Sequence, residues 1–205
     1  MARARSGAWF GGAVTFVVLT GTLLACATTA RVSDLYMALD SDGFRKRNTF
    51  FTDSKELHCI VEMGVGRNGV TVEAIIRQLQ VYDFASNSYI DVYRVAGNAE
   101  KEFSAREGKQ TLDVTLIPPV PDGANQESAP FLPQRAQCEA YIDGVLEKTT
   151  VYNINFAPCP TAAIVQGSLC FGFYKENDQC PKFGISSRDG KNCVCSIVKG
   201  WQCEK

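Results

Sequence analysis

The chain has 205 residues, a formal charge of −1 and nine cysteines, six of them between Cys159 and Lys205. Lys and Arg are scattered without a long basic run, which leaves a nucleic-acid partner little electrostatic footing. His58 is the only histidine, so mechanisms that need an imidazole base are poorly supplied and no enzymatic activity is expected.

The N-terminus is organised as a secretory signal: Arg3 and Arg5, an apolar run from Ala8 to Leu24, then small residues at Ala25-Cys26-Ala27 and Ala30. Residues 1–30 are therefore expected to be removed, leaving a secreted, extracellular chain with no membrane association. Cleavage there discards Cys26 and leaves an even set of cysteines able to pair completely in an oxidising compartment. Leu23-Leu24-Ala25-Cys26 also has the form of a bacterial lipoprotein signal, in which Cys26 would carry the lipid. The remaining chain, about 175 residues, is long enough for one packed body and a small annex.

Ser33 to Leu39 reads as a short helix, with Ser33 or Asp34 as its N-cap. Leu57 to Met63 is strand-like, and Arg67-Asn68-Gly69 supplies a hairpin turn. In Val70 to Tyr82 the apolar positions are even at first (Val70, Val72, Ala74, Ile76) and odd later (Leu79, Val81). A strand that exchanges faces must bend or bulge, and a helix is the competing reading. Tyr89 to Val95 follows as a strand, and Thr111 to Ile117 alternates cleanly through Leu112, Val114 and Leu116. The prolines at 118, 119, 121, 130 and 133 exclude a central strand there. Ala136 to Ile142 and Val145 to Ile154 form a hairpin about Asp143-Gly144. The class expected is mainly β, an antiparallel barrel over residues 31–157 with strands in meander order, followed by a disulfide-rich C-terminal extension over 158–205.

Several of these segments together resemble the lipocalins of tick saliva, of the histamine-binding type. The matching parts are Asp34-Leu35-Tyr36-Met37-Ala38-Leu39, then Phe50-Phe51-Thr52-Asp53-Ser54 leading to Cys59, then Cys138 on a late strand and cysteines near the C-terminus. Cys138-Glu139-Ala140 keeps the acidic residue of the amine-binding signature, whereas Glu147 is followed by Lys148 and Thr149 in place of an aliphatic residue and Trp. The resemblance implies a lipocalin barrel, a disulfide from Cys59 to the C-terminal region, and another from Cys138 to a later cysteine. The cysteine count itself also allows Cys59 and Cys138 to pair with each other.

The disulfide cysteines expected are Cys59, Cys138, Cys159, Cys170, Cys180, Cys193, Cys195 and Cys203. Cys193-x-Cys195 is too short for a zinc knuckle and no Gly-rich phosphate loop occurs, so no metal or other cofactor is expected. Ligand-binding candidates are Tyr89, Asp91 and Tyr93, which share one face of their strand with Val95, and Glu139 and Tyr141 on another strand. If those faces point inward, aromatic walls with a carboxylate would suit a cationic amine. If they point outward, Ile90, Val92, Ala140 and Ile142 make the core. The partner expected is a small molecule, amine or lipid, or a host extracellular protein. The tail reads either as a clamp across the barrel or as a separate scaffold presenting loops such as Lys182 to Gly190 to a host protease, receptor or cytokine.

Overall fold

In the computed structural model, residues 30–64, 69–103, 110–119, 129–184 and 191–204 are described. The signal segment with Cys26, the Arg67-Asn68 part of the first turn, Pro121 and the second half of the Lys182 to Gly190 loop lie outside them. The described chain is mainly β: β1 Val32–Ala38, β2 Thr49–Phe51, β3 Leu57–Met63, β4 Val70–Asp83, β5 Ser88–Phe103, β6 Gln110–Leu116, β7 Gln134–Ile142, β8 Val145–Asn155, β9 Gln179–Pro181, β10 Asn192–Ser196 and β11 Gly200–Cys203.

The expected helix at Ser33 to Leu39 is instead β1. Its backbone groups pair with β3 from Leu35 opposite Val61 to Ala38 opposite His58, and the Ser33 hydroxyl donates to the Glu62 carbonyl (2.8 Å) instead of capping a helix. Long-range pairing overrides a weak local preference here.

The body holds two sheets, one ordered β1-β3-β6 and the other β2-β8-β7-β4-β5. The order is not a meander, because the chain passes between sheets after β1, β2, β3, β5 and β6. Among the described residues no ladder joins the two sheets, so the body shows no closed barrel. Their facing sides bury one core that includes Met37, Phe50, Leu57, Val61, Ile76, Leu112, Val114, Tyr152 and Ile154.

The face exchange within β4 is a double irregularity. Register shifts fall between Ile76 and Arg77 against β5, and between Gln78 and Gln80 against both neighbours. Val70, Val72, Ala74 and Ile76 are buried before it, and Val81 after it, so the apolar pattern announced the bulge. The Asp143-Gly144 turn closes the β7–β8 hairpin with φ of 48° and 79°, the left-handed pair a tight two-residue turn requires.

Cys59 on β3 and Cys138 on β7 both face the core, one from each sheet, and are bonded to each other. This corrects the pairings implied by the resemblance. Positions opposed across a sandwich core lie within bonding reach, and neither reaches the tail. The other six pair within the tail as Cys159–Cys180, Cys170–Cys195 and Cys193–Cys203. β9, β10 and β11 form a separate sheet there, over a small core of Ile164, Tyr174, Trp201 and buried cysteines. The tail docks on the body through noncovalent contacts: the Thr52 hydroxyl donates to the Phe173 carbonyl (3.1 Å), as does the Ala157 amide (3.0 Å).

Candidate functional site

The outward face of the five-stranded sheet gathers four of the five candidate ligand residues. On β7, Ala136, Cys138, Ala140 and Ile142 point into the core, so Glu139 and Tyr141 point away from it. Register carries that face across β4 to β5, where Gln80 lies opposite Asp91 and Tyr82 opposite Tyr89. The inward-facing reading is thereby corrected: antiparallel sheets commonly solvate one face, and this is that face. The alternative core is right for Ala140 and Ile142 but not for Ile90, which is exposed, or Val92, which is half-buried.

Glu139 is buried although it lies on the outer face, because its neighbours fold over it. Arg77 donates from Nε to Oε1 and from Nη2 to Oε2, both at 3.1 Å. The Tyr141 hydroxyl donates to Oε2 at 2.7 Å, and the Gln137 amide donates to Oε1. Burial by itself would raise the Glu139 carboxyl, but the bonds from Arg77, Tyr141 and Gln137 outweigh it and hold the group below its ordinary range. The Tyr141 phenol is pushed up, first by its bond to that carboxylate. The charge of Glu139 is thus neutralised within the chain and is not presented to an amine.

Asp91 accepts from the Gln80 amide at 2.9 Å. Tyr89 packs edge to face on Tyr82, ring centroids 5.3 Å apart. Tyr93 departs from the group: it sits in the bulge with φ of 44° and is 72% exposed. β5 forms one edge of its sheet, and neither of its faces is well covered between Ser88 and Val95.

An aromatic cluster that the sequence reading missed lies where body meets tail. Tyr82, Phe84 and Phe156 pack edge to face, and Phe171 of the tail packs at a tilt against Phe84, ring centroids 4.4 Å apart. The Lys175 ammonium sits 5.1 Å from the ring centres of both Tyr82 and Phe156. The cation–π chemistry expected of an amine ligand is therefore supplied by the tail's own lysine. Spacing in the sequence carried no sign of it, since Tyr82, Phe156, Phe171 and Lys175 meet only through β pairing and tail docking.

His58 faces away from the core on β3 yet is buried. Its Nδ1 lies 2.8 Å from Asp113 Oδ2, and the adjacent Thr115 hydroxyl, 3.4 Å away, approaches the same nitrogen. A base relay needs acid and nucleophile on opposite ring nitrogens, and here the hydroxyl shares the acid's side. The second nitrogen, Nε2, lies 3.5 Å from Glu56.

Among the described residues, two of the clefts that open on the surface stand out. One, about 750 Å³, lies between Arg31, Val70, the Asp143 turn and Lys148. The other, about 310 Å³, lies between the first half of β5, the end of β6 and the segment leading into β7.

No family model and no curated protein matches the chain. Among solved structures it is similar to the Pseudomonas fluorescens alkylpurine DNA glycosylase AlkC bound to DNA containing an abasic site analog. That similarity has a TM-score of 0.33 and 6% sequence identity, and covers 61% of this chain and 30% of that one. The chain thus spans under a third of the glycosylase structure, and a likeness this loose identifies neither fold nor activity.

Proposed function

We propose that this chain is an exported binding protein of an oxidising extracellular space, holding a small host mediator or engaging a host defence protein. The observation that carries the reading is the disulfide set: all eight described cysteines are bonded, one pair across the body core and three within the tail. Within this reading the amine has least support, because Glu139 is matched by Arg77 and the Tyr82–Phe156 site by Lys175. A lipid or a host protein is favoured. The finer form, a tick-type salivary lipocalin, rests on the residue pattern from Asp34 to Cys138.

The test is native mass spectrometry of the full chain from an oxidising expression host, followed by a binding screen with amines, lipids and plasma proteins. Retention or capture of one class supports the proposal. A protein that comes out empty and captures none of them overturns it.

A second reading, an inhibitor of a host protease, receptor or cytokine acting through the tail, is favoured by the tail's own sheet and internal disulfides. Expressing Cys159 to Lys205 alone discriminates: a folded, binding tail supports it, and a tail that folds only with the body makes it a strap. A third, a lipid-anchored envelope protein, is favoured by the Leu23-Leu24-Ala25-Cys26 sequence, since the eight described cysteines pair with one another. Mass spectrometry of the mature N-terminus separates a lipidated Cys26 from a start at Arg31.

A further inference from the structure

The smaller cleft lies where the two sheets of the body part company. β5 is an edge of one sheet and β6 an edge of the other, and between them the core runs out to the surface. Phe131, 3% exposed, forms the floor, while Val95, Ile117 and Leu132 are 52%, 63% and 36% exposed around it. Exposed aliphatic side chains gathered at one concavity are a binding feature more than a packing one. The volume, about 310 Å³, suits a small ligand.

A polar row crosses this apolar site. Arg94 donates from Nε to the Gln78 amide oxygen, and the Gln78 amide nitrogen donates to the Gln134 amide oxygen. Gln78 is satisfied at both ends. Beyond the second lone pairs of the two amide oxygens, the row offers a ligand donors, the Nη groups of Arg94 at one end and the amide N–H groups of the buried Gln134 at the other. Among the described residues no Asp or Glu lines the cleft and Arg94 has no carboxylate within ion-pair distance. Donors and one guanidinium set in an apolar wall select an acceptor-rich, negatively charged head on an apolar body.

We propose that the open edge between β5 and β6 binds an amphipathic organic anion, its head on Arg94 and its body against Val95, Ile117 and Leu132. The proposal rests on the binding-protein reading and deepens it by naming site and ligand class.

Isothermal titration of the full chain with dodecanoate and with dodecylammonium, each below its micelle-forming concentration, tests it. Dodecanoate is expected to bind at one site, and dodecylammonium about tenfold more weakly or worse. Arg94→Gln, at an exposed position, should weaken dodecanoate about tenfold and leave the amine unchanged. Ile117→Ser, also exposed, should weaken dodecanoate by a few-fold through lost apolar area. Equal binding of the two amphiphiles, no binding of dodecanoate, or binding indifferent to Arg94→Gln overturns the proposal. If the full chain then still captures another mediator or a plasma protein, only the cleft assignment fails and the binding-protein reading stands.

Discussion

The Arg77–Glu139 pair is held by two bonds of 3.1 Å at the centre of an otherwise solvated face. Removing one partner of a buried pair leaves the other charged and unmatched, which costs more than the pair contributes. Arg77→Ala should therefore lower the unfolding free energy by about 2 kcal/mol, and Glu139→Gln by less, as read from urea denaturation. Because the folded-state carboxyl lies below its ordinary value of 4.5, its stabilisation is present above that pH and lost as pH falls through the folded value. Thermal midpoints measured from pH 7 down to 3 should fall on the acid side, and less steeply in Glu139→Gln. Tyr93 bears the opposite sign. A bulky residue with φ of 44° is strained, so Tyr93→Asn should raise stability by about 0.5–1 kcal/mol in the same denaturation assay.

Element by element, what the sequence revealed was periodicity. The alternation of β6, the face exchange in β4 and the Asp143-Gly144 hairpin are local patterns, and each stands where it was read. β1 is a strand where a helix is expected because a seven-residue segment has no strong preference of its own, and its β3 partner lies about twenty-five residues away. Glu139 and Tyr141 were rightly put on one face, but its direction depends on which side meets the other sheet. Arg77 was missed for a related reason: it reaches Glu139 across 62 residues of sequence, from the strand next door. The covalent tie between the two body sheets among the described residues, Cys59–Cys138, closes a span of 79 residues. Replacing both cysteines by alanine should cost about 3–4 kcal/mol in guanidinium denaturation, mainly by freeing the unfolded chain.

At the scale of the molecule, body and tail carry separate disulfide sets and meet through hydrogen bonds and the aromatic cluster around Lys175. Proteolysis of the unreduced protein followed by mass spectrometry should give a Cys59–Cys138 cross-linked peptide and tail peptides linked only to one another. A peptide joining body to tail would contradict this pairing. Phe171→Ala should increase cleavage near Ala157, the point of passage between the two, by loosening the docked ring. The sequence alone determined the mainly β class, the turns, the bulged strand and the cysteine-rich end, because these follow from side-chain period and composition within a few residues. Only the tertiary structure decided which face is inside, which cysteines meet, and that Arg77 and Lys175 already occupy the places an amine would need. Those outcomes depend on distances between residues far apart in the chain, which are set when two sheets and a tail bury their apolar sides together.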